Sequence, residues 1–187
     1  MAVSAEEFLE VASRRSGDSI QVARELLEMG YPSPAFVWAV RAVEIFYKEF
    51  LLAPYYYDGD WAWAVRKASK LFGSSNWDKA IVKVDEVFGP LDKMVTEVGN
   101  DALDVWIKQI VRIRGDIVHG RMNADPETAQ LAVGYADQLI TQLKLRVVVT
   151  RKHPFSEVFM GIIEQGRKLY QESQRKQRRR PPDQGGG

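Results

Sequence analysis

The chain has 187 residues, 45% of them hydrophobic and 27% charged, with a formal net charge of +1, the make-up of a globular protein long enough to bury a core. It contains no cysteine, which excludes disulfides, thiolate metal sites and cysteine nucleophiles. No run of about 18 apolar residues occurs, so no membrane-spanning helix is expected; the acidic start Met1-Ala2-Val3-Ser4-Ala5-Glu6-Glu7 lacks a signal peptide's order, and a cytoplasmic location is expected.

In chain order, about Ala5 to Met29 reads as helix with an interruption at Ser16-Gly17-Asp18, where Asp18 or Ser19 is placed to cap a second half bearing Ile20, Ala23 and Leu27 on one side. Tyr31-Pro32-Ser33-Pro34 reads as a turn, with Ser33 and Pro34 starting a helix that runs to about Leu52. Phe36, Val40, Val43, Tyr47 and Phe50 form its expected buried face, and Arg41, Glu44 and Lys48 a polar line at spacings of three and four. Such a line is normally an ion-paired solvent face. Ala53 to Asp60 reads as a loop, and Trp61-Ala62-Trp63 opens a short helix to about Phe72. The aromatic residues clustered there suit core or a subunit contact, or stacking on bases.

Gly73-Ser74-Ser75-Asn76 reads as a linker, with Asn76 capping a helix from Trp77 to Phe88 that ends at Gly89-Pro90. Asp101 and Asp104 fall near the start of the next helix and read as capping residues. Asp125-Pro126-Glu127-Thr128 is a clear helix start, followed by a wide apolar face at Ala132, Val133, Ala136, Leu139, Ile140 and Leu143. Val147-Val148-Val149-Thr150 is either a brief extended piece or a helix end, and His153 before Pro154 reads as structural. A last helix is expected over about Ser156 to Gln174, burying Val158, Phe159, Ile162, Ile163 and Leu169.

The stretch that carries chemistry is Arg112-Ile113-Arg114-Gly115-Asp116-Ile117-Val118-His119-Gly120-Arg121, entered at helical spacing through Leu103, Ile107, Ile110 and Val111. A histidine exchanges protons near neutral pH and an arginine grips phosphate through its planar fork, so the pair suits a phosphodiester handled without metal. The plainer alternative is solvated charges at a helix end and a satisfied histidine. If the helix runs unbroken to His119, then Arg112, Asp116 and His119 share a face while Arg114 aligns with Ile110 and Ile117. If it breaks at Gly115, Arg114 is free to turn toward His119.

Ile113-Arg114-Gly115-Asp116-Ile117-Val118-His119-Gly120 resembles the signature of the HEPN superfamily, an arginine followed after four to six residues by a histidine and commonly a glycine. Phe36 to Phe46 is similar to an early helix of that family, which often carries an Arg-x-x-Glu step, here Arg41 and Glu44. The two matches bracket roughly residues 34 to 143. Gly115 stands where active members usually have a polar residue after the arginine. The resemblance implies an all-α, HEPN-like up-and-down bundle with additional helices, acting as a metal-independent endoribonuclease in a homodimer. It implies catalytic roles for Arg114, His119 and Asp116, and phosphate or RNA contacts for Arg112, Arg121, Arg41 and Glu44. RNA and an antitoxin or regulatory protein are the implied partners, in a toxin, phage-defence or RNA-processing setting, with no cofactor. The alternative is a non-catalytic module of the same family that binds RNA, a nucleotide or a protein.

A single helical domain is expected over residues 1–174, followed by a disordered basic tail over 175–187. The tail carries +4, which leaves the body at −3; Arg178, Arg179 and Arg180 are its candidate phosphate contacts. Its string Arg175 to Pro182 is similar to the arginine-rich RNA-binding segment of the lentiviral Tat protein, over a few residues of low complexity. No His-Glu-x-x-His pair, phosphate-binding glycine loop, dinucleotide fingerprint or Gly-x-Ser-x-Gly elbow occurs.

Overall fold

The structure, a computed structural model, describes residues 4–72, 77–88, 106–150 and 155–178, with only the backbone at some helical positions. The expectations at Gly73 to Asn76, Gly89-Pro90, Asp101, Leu103, Asp104, His153, Arg179 and Arg180 lie outside the described residues, as do the side chains of Ile163, Leu169 and Arg178. Among the described residues every regular element is helical.

Helix α1 spans Ala5–Glu28 and begins in a capping box, in which Ser4 Oγ accepts from the Glu7 amide and the Glu7 carboxylate accepts from the Ser4 amide. It crosses Ser16-Gly17-Asp18 without interruption. That corrects the expected break, and the reason is tertiary. Ser16 is buried and its hydroxyl donates to the Ala42 carbonyl at 3.0 Å, while Ser19 donates to its own helix at Arg15. With acceptors supplied, neither serine needs to cap.

Gly30 ends this helix at φ 81°, its amide bonding to Leu27 and the Tyr31 amide to Leu26, a Schellman cap that only a left-handed residue closes. The chain turns back at once into α2, Pro32–Ile45. Ser33 is therefore one residue inside the helix, and its hydroxyl serves elsewhere. Phe46–Leu52 continues as a π-helical turn, in which the Ala53 amide reaches back to the Lys48 carbonyl. Phe36, Val40, Val43, Tyr47 and Phe50 are all buried, as the spacing predicts. The loop expected from Ala53 is partly helical: α3 covers Ala53–Tyr56 before the bend at Asp58-Gly59.

Asp60 caps α4, Trp61–Ser69, which tightens into a 3₁₀ turn at Lys70–Phe72; α5 follows at Trp77–Phe88. Of the aromatic residues in this stretch, Trp61 is buried and Tyr56 and Tyr57 pack against the core, whereas Trp63 is exposed, with Lys67 Nζ 5.6 Å from its ring centroid. Trp61 lies between Phe8, at 4.1 Å centroid to centroid, and Tyr57, at 4.0 Å, both nearly parallel to it. Burial of this cluster pushes the Tyr55 phenol up to about 12.

A second π-helical turn, Trp106–Val111, leads directly into α6, Arg112–Val118. Helix α7, Pro126–Thr150, starts where Asp125 accepts from the Thr128 amide at 2.7 Å, and it remains helical through Val147 to Thr150. Its Ala132, Ala136, Leu139 and Leu143 face α1 and α2 in one continuous core. Helix α8 spans Ser156–Arg178 and seats Phe159, fully buried, 4.4 Å from the Phe50 ring. Its backbone is helical four residues past Gln174: Arg, Lys and Gln are good helix formers, and nothing between 175 and 178 interrupts them.

Candidate functional site

Helix α6 is short and packs on α2, and that contact decides where the charged stretch points. It does not break at Gly115. The helix ends at Val118 with His119 as its cap, φ −91° and ψ 9°. Gly120 then adopts φ 66°, its amide bonding to Ile117 and the Arg121 amide to Asp116 at 2.7 Å. This is the same Schellman closure as at Gly30, so the glycine after the histidine is what turns the chain there. The Met122 amide also reaches the Asp116 carbonyl, and the Ala124 amide donates to Ser33 Oγ at 2.9 Å, fastening the segment after the motif to the start of α2.

With the helix unbroken, Arg114 faces inward. Its Nη2 lies 2.5 Å from Glu44 Oε1 on α2, with Arg114 32% and Glu44 13% exposed. The contact is ionic and poorly aligned for hydrogen bonding: Glu44 Oε1 and Arg114 Nε are both buried with no hydrogen-bond partner among the described residues. Arg114 Nε is thus a buried donor without a hydrogen-bond partner among the described residues, within a partly exposed guanidinium. The other Glu44 oxygen accepts from Lys48 Nζ at 3.2 Å, and that ammonium lies 5.1 Å from the Phe72 ring centroid. One carboxylate therefore binds two cations. Lys48 is read from sequence as part of the ion-paired line with Arg41 and Glu44 and not as a site residue, and its place four residues after Glu44 is the signal that points to this pair.

The remaining site candidates divide. The Asp116 carboxylate faces Arg121, at 3.6 Å, both side chains being exposed. His119 is exposed, and among the described residues its side chain has no hydrogen-bond partner. Five helical residues separate it from Arg114, about 140° around the axis and ~7.5 Å along it, so the two address different sides of α6. Arg112 is exposed on the solvent side. Arg41 is brought near Glu44 only through α2; its guanidinium lies 5.2 Å over the Trp38 ring. Backbone at Arg178 is helical, far along α8.

Two apolar side chains flank the histidine in the open: Val118, 46% exposed, and Met122, 40% exposed. The described residues hold no cluster of three or more His, Asp or Glu side chains able to coordinate a metal. No helix among them is long and apolar enough to cross a membrane. No family model, curated protein or solved structure matches this chain.

Proposed function

We propose that the chain is a metal-independent endoribonuclease of the HEPN type, working as a homodimer in which Arg114 and His119 of the two copies line a shared cleft. The observation that carries this reading is the Glu44–Arg114 ion pair. It joins the two sequence segments on which the resemblance to that superfamily rests, the helix around Phe36 to Phe46 and the Arg114–His119 motif. The exposed Val118 and Met122 beside His119 are the apolar surface that a second copy would cover. In the cleft, His119 takes the proton of a ribose 2′-hydroxyl, whose oxygen attacks the adjacent phosphorus. The 5′-oxygen leaves with a proton from the opposite His119, and a 2′,3′-cyclic phosphate results. Arg114, aimed by Glu44, binds the phosphate oxygens as charge develops on them, with Arg112 at the rim.

The test is cleavage of diverse RNAs in the presence of EDTA by the purified protein and by its His119→Ala variant. Cleavage by the first and none by the second is the expected result, with helical content unchanged in both. Equal cleavage by the variant, or none by a confirmed dimer of the unaltered chain, refutes the nuclease reading. A second reading has one observation in its favour. Arg114 is committed to Glu44 and Asp116 faces Arg121, so neither engages His119 within one copy. A non-catalytic module binding RNA, a nucleotide or a protein would be built in this way, and it is the reading to which a silent dimer would lead.

A further inference from the structure

A groove of about 230 Å³ lies between α1 and α2. That is below the range of drug-sized pockets, about 300 Å³ and upward, and on the scale of a single nucleobase with part of its sugar. Its apolar lining is Trp38, Val22 and Ile45; its charged lining is Arg15, Arg41 and Asp18. We infer that this groove binds one nucleotide of a single-stranded RNA, the base on Trp38 and the phosphate on Arg41, as a subsite adjoining the Glu44–Arg114 cluster. The inference rests on the nuclease reading for the identity of the polymer, and on the groove for its position.

Three observations carry it. Trp38 is half-buried and packed against the core, so its ring is a fixed platform; aromatic rings of this kind stack on any base, and a base entering here displaces the Arg41 guanidinium from the ring toward the phosphate. Arg41 extends over that ring, 5.2 Å from its centroid, and among the described residues no carboxylate pairs with it. Its charge is therefore available to a phosphate, whereas Arg15 is already held by Glu49 at 2.6 Å. Continuity is the third. Arg41 precedes Glu44 by three residues on α2, about 4.5 Å along the axis, so a strand with one phosphate at Arg114 has its neighbouring nucleotide within reach of the groove. Asp18 on the opposite wall repels phosphate and accepts hydrogen bonds from a sugar hydroxyl or base amino group. That fixes the orientation, with phosphate toward α2 and sugar toward α1.

The experiment measures the affinity of the full chain carrying His119→Ala for a short fluorescent single-stranded RNA, by anisotropy over a range of salt. It compares that parent with the same chain further carrying Trp38→Leu, Trp38→Phe or Arg41→Gln. Stacking of one base is worth about 1–3 kcal/mol, so Trp38→Leu is expected to weaken binding by roughly 5- to 150-fold, with Phe retaining most of the affinity. Loss of one phosphate contact flattens the log–log salt slope by about 0.7 in Arg41→Gln. Arg41 is exposed, so that variant tests the groove even if Trp38→Leu disturbs the fold. Parent-like affinity and salt slope in the folded variants overturn the subsite and leave the nuclease reading standing. Weakened binding in the variants, from a protein that with His119 intact cuts no RNA, keeps the subsite and overturns the nuclease. A parent that binds no RNA overturns both.

Discussion

Glu44 is shared by two cations, and this makes its loss unequal to the loss of either partner. In Glu44→Gln, Arg114 and Lys48 both lose their counter-charge in a partly buried site; in Arg114→Gln, Glu44 keeps Lys48 at 3.2 Å. Two unit charges about 4 Å apart in an effective dielectric near 20 attract by about 4 kcal/mol, which is a ceiling. Desolvation offsets part of it, and Arg114 is about a third exposed, so water screens more. Between that ceiling and the ~0.2–1 kcal/mol of exposed pairs, a coupling of about 1–2 kcal/mol is expected. The single changes should then cost about 2–3 kcal/mol for Glu44→Gln and about 1 kcal/mol for Arg114→Gln. Urea denaturation of the parent, both single variants and the double variant gives these terms directly; urea adds no salt to screen the pair. In a thermal scan each kcal/mol corresponds to about 2–4 °C for a chain of this size. A coupling under about 0.3 kcal/mol, or a larger cost for Arg114→Gln than for Glu44→Gln, would refute the shared-carboxylate account.

Gly115 has helical backbone, and a Cβ built there meets nothing within 4 Å. Gly115→Ala should therefore stabilise the protein by about 0.5–1 kcal/mol through lower unfolded-state entropy, and a lowered urea midpoint would contradict this. Burial pushes the Lys144 ammonium below the ordinary lysine range, only partly opposed by the Asp137 charge, with Nζ 5.7 Å from the Phe46 centroid in the π-helical turn. Between the lowered folded value and about 10.4 in the unfolded chain, the unfolded state holds more protons, so this group makes stability rise with pH across that alkaline window. Lys144→Met removes the desolvation cost and should be up to about 1 kcal/mol more stable at pH 7. The advantage should shrink toward pH 10.5, and a pH-independent difference in urea midpoints would count against burial as the cause.

Much of this architecture is legible locally because its causes are local. The apolar spacing from Phe36 to Phe50 places a buried face without reference to the rest of the chain. Asp125-Pro126 carries its own cap, and Gly120 marks a turn that needs positive φ. The misplaced boundaries share one cause, a partner distant in sequence. Ser16-Gly17-Asp18 looks like a break until α2 presents the Ala42 carbonyl to Ser16, and Ser33 looks like a cap until it is found holding Ala124. At the site itself, residue types and spacing identify Arg114 and His119 as candidates, and helical geometry limits their faces to two alternatives. Only the packing of α6 on α2 selects between them. It turns Arg114 to Glu44 and leaves His119 exposed at the helix end, since a charge entering a partly buried contact requires an opposite charge there, and α2 provides it.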